Sequence, residues 1–267
     1  GFCIAGSIKF ESRLAFELGN LDWRRYNLHA RQRPNPSPSA TFTKDRRTPM
    51  TEKILVSRAA DVTTLTLNRP DEGNIVSTDM GGEISRLFAA ASEDGTKVIV
   101  LRANGSDFCL GRDSAGIAVG RGAETALDVR ATNAEPALDF YDSFLRTPVP
   151  IIGAVQGLAD GMGCALAALC DITIAADTAR FRVPEMNRDI PPALVMTAFR
   201  DRVPRKAIGY LIWSRDEVDA ATAREFGIVS KIVPADALDA EVDALTDTLS
   251  GNSMEALRMI KEYLNNA

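Results

Sequence analysis

Histidine is nearly missing from this chain: His29 is the single copy among 267 residues. It stands among Arg24, Arg25, Arg31 and Arg33, just ahead of the run Pro34-Asn35-Pro36-Ser37-Pro38-Ser39, whose composition reads as unstructured. Mechanisms that need a histidine in the folded body are thereby excluded: Ser-His-Asp hydrolysis, Cys-His proteolysis and His-ligated zinc. A membrane-spanning run is missing too. The longest uncharged stretch, Thr147 to Ala159, is too short and too broken by Pro and Gly to cross a bilayer. Cys3, Cys109, Cys164 and Cys170 contain no CxxC and no metal-ligand spacing, so they form neither a disulfide framework nor a metal site. A reduced, cytoplasmic setting fits, with Cys164 and Cys170 behaving as small buried hydrophobes.

Charge is unevenly divided. Residues 1–49 hold nine Lys/Arg against four Asp/Glu, a net of +5, and residues 50–267 hold 22 against 32, a net of −10. An acidic body argues against nucleic acid as the main ligand, because phosphate binding wants a basic face. The basic segment reads as an interaction arm or a targeting segment. Its Glu11, Glu17 and Asp22 depart from the acid-poor composition of a transit peptide. Met50-Thr51-Glu52-Lys53 looks like a natural start, so residues 1–49 are expected to lie outside the fold, as upstream sequence or an accessory arm. Residues 50–267 are expected to form one domain without tandem repeats.

Within that body, Lys53–Val56 and Val62–Leu67 are β-rich runs around an Ala60-Asp61 turn, a hairpin by pattern. Ile84, Leu87, Phe88 and Ala91 recur at helical spacing between Asp79 and Ser92. Lys97–Arg102, Pro150–Val155 and Asp171–Ala175 are short apolar runs of the kind that become strands buried on both faces. Residues 113–147 resist placement at first, with Gly116, Gly120 and Gly122, then suggest a helix ending before Pro148. A helix over Gly161–Leu169, helices over 206–213, 220–226, 238–249 and 254–264, and a strand at 228–233 complete an α/β pattern.

Chemistry is concentrated in two glycine-containing turns. Strand 97–102 leads into Phe108-Cys109-Leu110-Gly111-Arg112-Asp113, and strand 151–155 leads through Gln156-Gly157 into Gly161-Met162-Gly163-Cys164 at a helix start. Both leave backbone N–H groups free beyond a strand's C-terminal end, the second with a helix dipole behind it. Converging, they would form a hole for a developing oxyanion, where one donor is worth about 3 to 4 kcal/mol. Tight-turn geometry is the plainer use of the same glycines.

These residues carry a family resemblance. Leu65-Thr66-Leu67-Asn68-Arg69-Pro70, Phe108 through Asp113, Val155-Gln156-Gly157 through Cys164, Cys170-Asp171-Ile172, Phe181-Arg182-Val183-Pro184-Glu185 and Ala223 through Val229 resemble the enoyl-CoA hydratase/isomerase (crotonase) family. The likeness spans nearly all of residues 52–264. It implies a crotonase-like spiral of ββα units with C-terminal helices, two sheets and a CoA-thioester site. The thioester oxygen would be held by the N–H groups of Arg112 and Met162. The resemblance implies no cofactor beyond the coenzyme A of the substrate, and a homotrimer or dimer of trimers. Relatives usually continue past the point matching Ala267 with helix that helps build the trimer.

The chain departs from the family in its acids. Hydratases of this kind typically use two glutamates. Here the first position is Ala165, and the second is Glu185. Double-bond migration needs one base to remove an α-proton and return it at the γ-carbon, whereas hydration is well served by two carboxylates. Single-acid members that the chain resembles include Δ3-Δ2-enoyl-CoA isomerases and hydroxycinnamoyl-CoA hydratase-lyases, the latter sharing something like Ile190-Pro191-Pro192. The expected proton shuttle is Glu185, its pKa raised from about 4.3 by an apolar pocket. The plainer alternative is a helix-start carboxylate paired with Arg182 or Arg188.

Other charged groups have two readings each. Asp160 is expected to cap the following helix; as a possible second acid it would repel the enolate. Asp139 and Asp142 are expected on a solvated face, and Tyr141 in the core. The Arg112 side chain suits a CoA phosphate or a substrate carboxylate, against a surface pair with Asp113 or Asp107. Lys261 stands where relatives often hold a basic residue near the CoA nucleotide, or is a solvated helix lysine. The leading expectation is an isomerase acting on acyl-CoA, with hydration or hydration-coupled cleavage next. Decarboxylation and thioester hydrolysis on the same scaffold also stand open. A non-catalytic CoA-thioester- or RNA-binding member is the alternative from another class.

Overall fold

The computed structural model describes residues 53–113 and 130–266. The basic segment 1–49 and the glycines of 114–129 lie outside the described residues. The expected hairpin forms as β1 (Ile54–Ala59) and β2 (Val62–Leu67), paired antiparallel with Ala60 at positive φ in the turn. α1 (Thr78–Glu93) starts where the Ser77 hydroxyl accepts the Met80 N–H, and it buries Met80, Ile84, Phe88 and Ala91 along one face. β3 (Val98–Ala103) pairs parallel to β2, and α2 (Glu135–Arg146) ends before Pro148 as its sequence requires.

Next come β4 (Ile151–Val155), β5 (Leu158–Asp160) and α3 (Met162–Leu169), then β6 (Ile172–Ala176), β7 (Arg180–Arg182) and α4 (Ala193–Phe199). Twice over, a strand in one sheet is followed by a strand in a second sheet and then a helix. This is the ββα spiral that the resemblance implies. β5 and β7 are three residues each, too short for the sequence to show alternation, and α4 follows a proline pair that reads as a breaker.

α5 (Arg205–Ser214), β8 (Val218–Asp219), α6 (Ala220–Glu225), β9 (Lys231–Val233), α7 (Leu238–Ser250) and α8 (Met254–Asn266) complete the chain. The strand expected over 228–233 is shorter than its apolar run, because the Ile228 and Val229 N–H groups bond to Ala223 O and close α6 instead. The large sheet runs β1-β2-β3-β4-β6-β9, parallel beyond the hairpin, and the small one runs β5-β7-β8.

Strand period two makes β3 serve two cores. Ile99 and Leu101 enter the main core with α1, α2 and α3, while Val98 and Val100 enter a second one closed by Leu238 and Val242 of α7. Among the described residues no helix is long and apolar enough to cross a membrane. Parallel pairing sends β3, β4 and β6 the same way, so the loops after them gather at one end of the sheet.

Candidate active site

Both glycine turns lie at that end and are pinned against each other by backbone bonds. The Cys109 N–H donates to Leu158 O at 3.2 Å, and the Asp160 N–H donates to Cys109 O at 2.9 Å. On the other side, the Val76 N–H meets Gly111 O and the Asp113 N–H meets Val76 O, both at 3.0 Å. That parallel bridge turns the intervening Arg112 N–H away from Val76. Gly163 packs so closely that an added Cβ would lie 2.1 Å from Cys109 O. The missing side chain at Gly163 therefore lets the two turns touch. Neither the Arg112 nor the Met162 N–H donates to a backbone carbonyl of the described residues, and both residues line one small, partly open pocket.

Glu185 reaches the second turn from the small sheet. Backbone pairing of Asp160 with Arg182, and the Gly161 N–H bond to Arg182 O at 2.9 Å, set the two chain segments side by side. Gly161, at φ +50°, has Glu185 Oε1 2.9 Å from where a Cβ would sit, so glycine is required for both conformation and space. Glu185 Oε2 is buried and has no hydrogen-bond partner among the described residues. Burial pushes the Glu185 pKa above the ordinary carboxylate range, the charge of Asp160 adds to that rise, and its own backbone N–H and Arg188 oppose it. No described basic group forms an ion pair with it, since Arg182 pairs with Asp160 at 2.7 Å. The helix-start reading holds in part: Glu185 opens a short 3-10 turn, Glu185–Arg188.

The pocket beside Arg112 and Met162 is walled by Val76, Ser77, Thr78, Gly81, Pro136, Ala137 and Phe140. Tyr141, on the next turn of α2 from Ala137, is buried as expected, yet its phenol lies in the fields of Arg112 and Glu185, and burial drives its pKa upward. It is core by packing and a neighbour of the site by position.

A profile of the enoyl-CoA hydratase/isomerase family matches residues 57–267. The chain belongs to this family. It is 35% identical over 223 residues to "Probable enoyl-CoA hydratase echA8" of Mycobacterium tuberculosis, covering 81% of this chain and 82% of that one. It is 30% identical over 214 residues to the 2,3-dehydroadipyl-CoA hydratase of Escherichia coli, covering 79% and 81%. Among solved structures, an enoyl-CoA hydratase of Mycobacterium smegmatis superposes with a TM-score of 0.71 at 31% identity, covering 78% of this chain and 80% of that chain.

Within this hydratase/isomerase scaffold, several expected residues are placed differently. Asp160 does not cap α3. Gly161 holds the cap position with no side-chain bond, and the Asp160 carboxylate turns to the Arg182 guanidinium. Its charge stands near Glu185 without facing a free volume in the pocket described. Lys261 is neither solvated nor free for CoA: it is 4% exposed, and its ammonium meets Asp171 Oδ2 at 2.5 Å and Val149 O at 3.2 Å. Leu257 and Lys261 are the buried residues of α8, so Lys261 faces a carboxylate that precedes β6, whereas Met259, Ile260, Tyr263 and Leu264 stay exposed. Asp142, expected on a solvated face, is buried and pairs with Arg146 at 3.2 Å.

Ala165 is 0% exposed and packed in the main core. Cys109, Cys164 and Cys170 are buried, and burial pushes the Cys109 thiol up to about 12. One contact was not legible at all. Asn133, in a stretch without clear periodicity, holds the Arg112 guanidinium through Oδ1 at 2.7 Å and its carbonyl oxygen at 2.8 Å.

Proposed function

We propose that this protein acts on unsaturated acyl-CoA thioesters, with Glu185 moving the proton and the Arg112 and Met162 N–H groups holding the thioester oxygen as it becomes an enolate. The observation that carries this reading is the buried, unpartnered Oε2 of Glu185 beside the Gly161-Met162 turn. A carboxylate kept from water and from cations is a stronger base than one in solution, and its raised pKa brings it toward the working range. Two backbone donors and the α3 dipole act on charge that develops only during reaction, which is where stabilisation accelerates it.

The favoured reaction is Δ3-Δ2 double-bond isomerisation. Glu185 removes a proton from Cα, the electron pair delocalises onto the thioester oxygen, and the acid formed delivers its proton at Cγ. Ala165, buried and apolar, offers no second carboxylate to activate water. Hydration is the second reading, supported by the hydratase names of the relatives. The hydroxycinnamoyl-type hydratase-lyase reaction is a variant of it. In the same reading the enzyme is cytoplasmic, forms a homotrimer or dimer of trimers, and uses no cofactor beyond the CoA of its substrate.

The test is a panel of 2-enoyl-, 3-enoyl- and aryl-CoA thioesters, with products weighed by mass spectrometry in ordinary and deuterated water. Isomerisation leaves the product mass equal to that of the substrate. A gain of one water shows hydration, and a shortened acyl group shows cleavage. Undiminished turnover by Glu185→Gln on every accepted thioester overturns the mechanism.

A further inference from the structure

Several other cations around the sheets meet a carboxylate. Lys261 faces Asp171, Arg182 faces Asp160 and Arg69 faces Glu72, while Arg202 sits in the fields of Asp171 and Asp201. Arg112 differs. The half-buried Arg112 lines the pocket, and among the described residues no carboxylate pairs with its guanidinium. It donates only to the neutral Asn133, from Nη1 to Oδ1 and from Nη2 to the carbonyl oxygen. Asn133 thus fixes the guanidinium in place through neutral acceptors, and among the described residues the N–H groups of the fork that Asn133 does not take meet no other acceptor. Burial without a counter-charge disfavours the cation, and its pKa falls accordingly. The same site is otherwise apolar along Val76, Pro136, Ala137 and Phe140, with the hydroxyl-bearing Ser77 and Thr78 among its walls.

A guanidinium held rigid in a mostly apolar pocket fits a carboxylate, which can accept two parallel N–H bonds and complete the charge balance. We propose that this pocket takes acyl groups bearing a carboxylate a few carbons from the thioester, and that the Arg112 side chain is the specificity-determining contact. The inference rests on the reading above, because Arg112 N–H at the thioester oxygen keeps its own side chain near the acyl group. The phosphates of CoA lie the length of a pantetheine arm from that oxygen, so they are the less suitable anion.

Equilibrium binding of saturated thioesters tests this without any turnover. Wild-type protein should bind succinyl-CoA roughly tenfold to hundredfold more tightly than butyryl-CoA, as expected for bonds to a charged group. Arg112→Gln should bring that ratio near one, with its circular-dichroism spectrum and thermal melt showing that the variant is folded. Arg112→Lys should keep part of the preference. Asn133→Asp, which leaves the arginine but supplies a competing carboxylate, should also lower it. Equal binding of the two thioesters by wild type, or a preference that survives in both Arg112→Gln and Asn133→Asp, overturns the proposal. So does an Arg112→Gln loss that is as large for free CoA as for succinyl-CoA, which would assign the cation to the CoA phosphates. Loss of Glu185→Gln turnover together with equal thioester binding would leave the mechanism standing and remove only the substrate class.

Discussion

At the N-terminal ends of β4 and β6, Asp171 accepts from the Lys261 ammonium at 2.5 Å and from the Ile151 N–H at 2.7 Å, and Val149 O takes another ammonium proton. At the C-terminal end of the large sheet, among the described residues, Glu185 Oε2 is buried without a partner and the half-buried Arg112 guanidinium meets no carboxylate. The first arrangement satisfies every charge it encloses and ties α8 to the sheet. The second keeps a carboxyl group proposed as the base and a cationic anion receptor in a place of low dielectric, where each interacts strongly with whatever enters. Buried charge alone therefore does not mark a site in this protein. What separates the two ends is whether each such charge has a complement among the described residues.

The largest expected effect comes from breaking the unpaired end. Glu185→Gln should lower kcat by about 10²–10⁴-fold, the usual contribution of a positioned proton-transfer group, measured on the best thioester of the panel. The same variant has a stability signature. The folded pKa of Glu185 lies above its unfolded value, so ionisation opposes folding. That cost is absent below the unfolded value of about 4.3 and grows as pH rises through the raised folded value. Thermal melts should therefore show Glu185→Gln gaining stability over wild type at neutral pH and losing that gain in acid; a gain of equal size at both pH values would refute the account.

Breaking the paired end should act on stability instead. Lys261→Met leaves Asp171 without its cation and should cost about 3–5 kcal/mol in denaturant unfolding. A double variant adding Asp171→Leu should recover much of that loss, because it removes the uncompensated charge. If the single variant melts like wild type, the ion pair is not the tie between α8 and the sheet.

Two smaller changes sharpen the comparison at the site. Gly163→Ala forces a Cβ toward Cys109 O and should cost about 1–3 kcal/mol while spreading the two turns apart. Its kcat should fall more than its KM rises if the donors act mainly on the transition state. Asp160→Asn breaks the pair with Arg182, worth about 0–1 kcal/mol at such exposure. It also removes a negative charge that raises the Glu185 pKa, so the acid limb of the pH–rate profile should move to lower pH. An acid limb that stays put would separate Asp160 from the electrostatics of Glu185.

Much of the fold was legible because its signals are local. The hairpin, the buried β3, β4 and β6, and the helices over α1, α3 and α7 follow from apolar period and from turn residues. The short strands of the second sheet were not legible, since two or three residues cannot show a period and are ordered by their neighbours. Glu185 and the two turns were found through motifs. The partners of Asp160, Asp142 and Lys261 were not, because a charge has no preference that reveals which distant group it will meet. Lys261 and Asp171 are 90 residues apart in the chain.

The sequence by itself determined that residues 50–267 contain no histidine and no CxxC, that strands alternate with helices in an α/β pattern, and that position 165 is alanine while position 185 is glutamate. Those properties depend on residue identity and short-range pattern. Tertiary structure alone decided which charges are cancelled and which stay exposed to a ligand. It brought Asp171 to Lys261 and Asp160 to Arg182, left Glu185 Oε2 and the Arg112 charge without complements among the described residues, and packed Gly163 on Cys109. Electrostatic pairing and close backbone approach depend on distance in space, which sequence separation does not encode.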